Sequence, residues 1–174
     1  MKITLDMAIS LNGMVARDDG SEDWLPFEGW TEFLDQAKLH NNIIMGRETY
    51  EKVTDLYKDH NFDDVNVTCK IIVTRNRHFI APSGYSVVYS PSEALQCLKD
   101  HNIDHGYLIG GGVLNSEFIK QGLVSHMNLT VTPFILGSGR PFIAKSDFET
   151  NLTLMDSHQL SGGRLRLAYS VNKE

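Results

Sequence analysis

The sequence predicts an α/β fold: a mostly parallel central sheet with crossover helices and an antiparallel C-terminal edge. Three observations predict it. Short apolar runs at residues 42–45, 71–73, 87–89 and 107–109 read as buried strands. Two of them pass through glycine directly into a helical pattern, at Met45-Gly46-Arg47 and at Ile109-Gly110-Gly111-Gly112-Val113. Beyond residue 121 the helical patterns stop and strand-type alternation takes over, most cleanly in Leu165, Leu167, Tyr169 and Val171.

Taken in order, Ile3, Leu5, Met7 and Ile9 alternate with Lys2, Thr4, Asp6, Ala8 and Ser10, the period of a strand with one strongly apolar face. Asn12-Gly13 then signals a turn. Residues 18–37 carry seven acids and no basic residue. Within them Trp30, Phe33, Leu34 and Ala37 follow helical spacing, which predicts a helix over 30–40 with most of the acids on its wet side. Glu28, two residues after Pro26, stands just before that helix. A second helix opens at Gly46-Arg47-Glu48-Thr49-Tyr50, with Tyr50, Val53 and Tyr57 on one face. Residues 58–68 are polar and aperiodic, a loop. Ser90-Pro91-Ser92-Glu93 combines a capping box with proline at the first helical position and predicts a helix to about residue 100. The triple glycine opens a helix over about 113–121. Residues 127–135 and 152–160 read as strands, with a glycine-rich loop over 133–140 and a turn at Gly162-Gly163. No repeat or linker interrupts the chain, so one domain over 1–174 is expected.

Composition narrows the function. The 174 residues are 41% hydrophobic and 22% charged, in the range of a globular chain with a real core. A formal net charge of −6 argues against a nucleic-acid partner, which needs a basic face. Cys69 and Cys97 form neither a disulfide framework nor a zinc spacing and read as buried thiols of a reducing compartment. Met1-Lys2-Ile3-Thr4-Leu5-Asp6 reads as a strand rather than a signal peptide, and no apolar run approaches the roughly 18 residues of a membrane span. A soluble cytoplasmic protein is expected.

Walker A, G-x-G-x-x-G, G-x-S-x-G and H-E-x-x-H motifs are all absent. His101 and His105 are four apart, but Asn102-Ile103-Asp104 between them reads as a helix end and loop, so no metal site is expected. What remains is a set of residues at strand ends: Asn12-Gly13, Gly46-Arg47 with Thr49, Thr74-Arg75, and Gly110-Gly111-Gly112. Open α/β sheets bind ligands at such ends. Glycines there let another molecule touch the backbone, and a helix N-terminus following them suits a phosphate or pyrophosphate. The alternative for the triple glycine is a tight turn where helix and strand pack closely.

The order Met7-Ala8-Ile9-Ser10-Leu11-Asn12-Gly13, Met45-Gly46-Arg47-Glu48-Thr49-Tyr50, Val73-Thr74-Arg75 and Ile109-Gly110-Gly111-Gly112 resembles the dihydrofolate reductase fold, a three-layer α/β architecture. Gly122-Leu123-Val124-Ser125-His126-Met127 and residues 133–142 resemble more specifically the C-terminal reductase domain of the bifunctional deaminase-reductase of riboflavin synthesis and its stand-alone relatives. Ser125-His126 departs from the Asp-Glu common there. The resemblance spans nearly the whole chain and implies an NADPH-dependent reductase of a small pyrimidine- or pterin-type substrate. It implies that Ala8 and Ile9 lie along the nicotinamide, with Asn12 and Gly13 in the loop over it. Gly46, Arg47 and Thr49 would hold the pyrophosphate and adenosine side, and Thr74 and Arg75 the adenosine 2′-phosphate. Ile109, Gly110, Gly111, Gly112, Val113 and Leu114 would pass under the pyrophosphate and nicotinamide ribose. Trp24-Leu25-Pro26-Phe27-Glu28 resembles the substrate-side motif of dihydrofolate reductase. There Met7, Trp24 and Glu28 would face the substrate, and Glu28 would hydrogen-bond its ring and assist protonation. A true dihydrofolate reductase and a nucleotide-binding module without turnover are the alternatives. A homodimer is expected, because the resembling domains pair and the C-terminal strands present an edge.

Overall fold

A computed structural model describes residues 1–172. Among the described residues ten strands and four helices follow one another: β1 (Lys2–Ser10), β2 (Met14–Ala16), α1 (Phe27–His40), β3 (Asn42–Gly46), α2 (Arg47–Leu56), β4 (Cys69–Val73), β5 (Tyr85–Val88), α3 (Pro91–Asp100), β6 (His105–Leu108), α4 (Gly112–Lys120), β7 (His126–Thr132), β8 (Arg140–Pro141), β9 (Leu152–Gln159) and β10 (Leu165–Val171). Eight strands form one sheet in the order β5-β4-β3-β6-β1-β7-β10-β9. The pairs from β5 to β7 are parallel, and β10 and β9 add an antiparallel edge. The architecture is therefore the α/β fold, mostly parallel with an antiparallel C-terminal edge, that the alternation patterns predict.

The short apolar runs are continuous because each strand is covered on both faces. Ile43 and Met45 of β3, Ile72 of β4 and Tyr107 of β6 pack with Ala37 of α1 and with Tyr50 and Val53 of α2. Their neighbours Ile44, Ile71, Val73 and Leu108 pack with Ala94 and Leu98 of α3 and with Leu114 and Phe118 of α4. This makes three layers: helices, sheet, helices. Ser90 caps α3 as its spacing predicts, accepting the Glu93 N–H at 3.2 Å, while Glu93 accepts the Tyr89 N–H at 2.9 Å.

Several local expectations are corrected. α1 begins at Phe27, a turn before the apolar spacing starts, so Glu28 lies inside it. The loop over 58–68 contains a 3₁₀ turn, Phe62–Asp64, capped by Asn61. β7 stops at Thr132, where Pro133 has no N–H to continue the ladder. β2 and β8 pair as a separate ribbon too short to carry a visible period. Among the described residues no helix is long and apolar enough to cross a membrane.

Candidate functional site

A cleft of about 1390 Å³ opens at the carboxyl ends of the parallel strands. That is where right-handed β-α-β connections leave a crevice between loops. Its walls include Asp6, Met7 and Ala8 of β1, Gly46 at the end of β3, Val73 at the end of β4 with Thr74 and Arg75 beyond it, and Ile109, Gly111 and Gly112 after β6. Three of the four strand-end segments singled out in the sequence, Gly46-Arg47 with Thr49, Thr74-Arg75 and Gly111-Gly112, are thus brought to one cavity, while Asn12 and Gly13 are not among its walls.

One half of the cleft is built from backbone. The N-termini of α2 and α4 both face it, through Gly46, Arg47, Glu48 and Thr49 and through Gly111, Gly112, Val113 and Leu114. Neither helix has a side-chain cap. Their first-turn N–H groups therefore lack intrahelical acceptors and carry the positive end of each helix dipole. Arg75, on the rim, is exposed and forms no ion pair among the described residues. Arg47 is instead tied to Glu51, donating at 2.6 Å. Thr132 Oγ1, beside the same cavity, is buried without a protein partner.

Packing accounts for part of the triple glycine. A Cβ on Gly112 would lie 2.2 Å from the Pro141 carbonyl oxygen, and one on Gly110 (φ +99°) would lie 2.9 Å from Met7 Sδ. Packing against backbone thus requires glycine at position 112, and the positive φ favours it at position 110. Gly111 differs: its nearest neighbour would be Thr49 Oγ1 at 3.0 Å, and it faces the cleft. The Gly46 N–H donates to the Gly110 carbonyl at 2.7 Å, which fastens the two glycine junctions together. The Gly110–Gly111 peptide is cis.

The other half is aromatic and ionic. Trp30, Phe33 and Tyr107 form a wall, and two bidentate pairs close the floor. Arg166 Nη1 donates to Asp6 Oδ1 and to Thr130 Oγ1, both at 2.8 Å. Arg164, itself buried, donates from Nη1 and Nη2 to the two carboxylate oxygens of Glu32, each at 2.8 Å. Glu22 is half-buried in the wall of the cleft, its carboxyl pushed up to about 7 by burial. Its backbone N–H donates to Tyr57 Oη at 2.7 Å, which fixes the loop that carries it. A carboxyl that keeps its proton near neutrality inside a cavity is equipped to pass that proton to a bound molecule.

Not every residue expected at the site reaches it. Glu28 is exposed in the first turn of α1 and does not line the cleft, while Glu32 one turn later does. Trp24 stacks on Phe134 (5.6 Å between centroids, 6° between planes) outside the cleft. Ile9 points into the core against the α3–α4 layer, since alternation sends its side chain to the face opposite Ala8. Asn12 spends its side chain on structure, donating to the Leu136 carbonyl at 2.6 Å and accepting the Leu136 N–H at 3.2 Å. Gly13 adopts φ +79° in the turn below it. Asp6, Glu22, Glu32, Arg164 and Arg166 line the cleft without being expected there from the sequence. An acid inside an apolar strand was the available signal for Asp6.

Comparison with known proteins agrees with this geometry. The model of the RibD C-terminal domain family matches residues 1–165, and the chain belongs to that family of riboflavin-biosynthesis pyrimidine reductase domains. A Bacillus subtilis (strain 168) relative, the uncharacterized protein YwjB, is 31% identical over 97% of this chain and 97% of its own length. Among solved structures, RibD of Acinetobacter baumannii superposes with a TM-score of 0.78 at 20% identity, over 98% of this chain and 58% of that one. Dihydrofolate reductase of Enterococcus faecalis, complexed with NADP(H), gives 0.70 at 16% identity, over 99% and 97%. At these identities the solved structures speak for the fold, which is that of dihydrofolate reductase.

Proposed function

We propose that the chain is an NADPH-dependent reductase of the riboflavin type, acting on a small pyrimidine- or pterin-type heterocycle. The observation that carries this is the pair of uncapped helix N-termini, α2 and α4, facing one cleft with Arg75, which forms no ion pair among the described residues, at its rim. Such a cradle suits a ligand with a pyrophosphate and a further phosphate. The residues fit NADPH: Gly111, Gly112 and Val113 with Arg47 and Thr49 at the pyrophosphate, Thr74 and Arg75 at the 2′-phosphate, Met7 and Ala8 near the nicotinamide. When bound, NADPH supplies a hydride. The chain's own groups do the rest. Trp30, Phe33 and Tyr107 exclude water and orient a planar ring. The paired carboxylates of Asp6 and Glu32 offer acceptors to ring N–H groups, and Glu22 holds a proton for the reduced substrate. The role first given to Glu28 passes to Glu22, which lies in the cleft.

The test is NADPH oxidation across dihydropterin and ribosylaminopyrimidine substrates. Steady turnover with one of them is expected, falling by about 10²-fold or more in Glu22→Gln and unchanged in Glu28→Gln. NADPH binding without turnover on any substrate would leave a binding module instead.

The same reading includes a homodimer. Every residue of β9, the edge strand, is exposed, and its Leu152, Leu154 and Met155 offer apolar side chains that a second copy would cover.

A further inference from the structure

Far from the cleft, at the amino ends of the parallel strands, three chemically matched side chains converge. Cys69, the first residue of β4, places its Sγ 3.9 Å from Cys97 Sγ of α3 and 3.8 Å from His101 Nδ1 at the end of that helix. The three donor atoms all lie within 4.8 Å of one another. The linear spacing hides this, because Cys69 comes from a strand while Cys97 and His101 come from successive turns of one helical face. The histidine pair seen in the sequence is separated: His105 lies on β6 and bonds Thr4 Oγ1 at 2.8 Å.

We propose that Cys69, Cys97 and His101 form a binding site for a thiophilic divalent cation, zinc(II), with solvent in the fourth position. This proposal is independent of the reductase reading. Zn–S bonds of about 2.3 Å and a Zn–N bond of about 2.0 Å at tetrahedral angles separate two sulfurs by ~3.8 Å and a sulfur from a nitrogen by ~3.5 Å. The observed 3.9 and 3.8 Å are close to both. A disulfide needs about 2.05 Å between the sulfurs, and it gives the histidine no task. Access is open, since Cys69 is buried, Cys97 is partly so and His101 is exposed. On binding, each thiol releases its proton to solvent as its thiolate joins the metal. His101 binds through Nδ1 with its ring proton on Nε2. The Cys97 carbonyl, now contacted by that ring nitrogen at 2.8 Å, keeps the His101 backbone N–H at 3.3 Å. The bound ion would tie the end of α3 to the start of β4.

Cobalt(II), added to the reduced, tag-free protein, is the probe. The expected result is one ion per chain, with thiolate-to-metal charge-transfer and tetrahedral ligand-field absorption, displaced by zinc. Cys97→Ser should abolish the charge-transfer bands, and His101→Ala should shift the ligand-field bands and weaken binding. Circular dichroism of both variants should match the wild type, as both positions lie at the helix end rather than in the deep core. No uptake by the reduced protein overturns the proposal. So does uptake that persists in Cys97→Ser, or thiol loss to a disulfide in air without any metal binding.

Discussion

Glu22, in the wall of the cleft, is the acid whose titration burial moves toward neutrality. Its ordinary value of 4.5 rises to about 7 through burial, so the folded chain holds a proton that the unfolded chain has already released in that window. The folded state binds more protons there, and this group's contribution to stability therefore declines as pH rises from about 4.5 to about 7. Thermal melts of the wild type and Glu22→Gln should diverge over that interval, with the variant gaining on the wild type towards pH 7. Parallel curves would show that Glu22 is not held protonated. Residues of this kind were hard to read in advance. The sequence singles out Arg75, Gly46 and the triple glycine because strand ends and glycines leave local patterns. The Asp6–Arg166 and Glu32–Arg164 pairs span 160 and 132 residues, and no local period connects such partners.

At the scale of elements, the α4 junction separates folding from binding. Gly112 has no room for a side chain against the Pro141 carbonyl, so Gly112→Ala should lower stability by about 1–3 kcal/mol in chemical denaturation. Gly111 meets only the Thr49 hydroxyl, the end of a side chain that can rotate away. Gly111→Ala should therefore melt near the wild type yet lose cofactor affinity. Equal destabilisation of both variants would assign the whole triplet to packing. The β9 edge makes a second prediction: light scattering at micromolar concentration should give a dimer mass, and Leu154→Lys with Met155→Lys should give a monomer. A wild-type monomer would dispose of the interface. The longer elements were legible because buried strands and amphipathic helices repeat their pattern over whole turns. β2 and β8 were not, since three and two residues cannot establish a period. The start of α1 was misread because its first turn, Phe27 to Gly29, carries no apolar spacing toward the core.

For the whole molecule, the three-layer fold gathers three strand-end segments and part of β1 into one cleft and leaves two helix N-termini uncapped within it. This common destination was visible from the order of the motifs along the chain. The ionic floor beneath it emerged only once the antiparallel edge was laid beside β7. The account stands or falls on the cofactor. Calorimetric titration of the wild type with NADPH and with NADH, repeated on Arg75→Ala, tests it most directly. One NADPH per chain is predicted, bound more tightly than NADH. Arg75→Ala should cost NADPH about 1.5 kcal/mol, the low end for a charged hydrogen bond because Arg75 is exposed, and leave NADH unchanged. No binding of NADPH, or equal binding of both cofactors in both proteins, would contradict it.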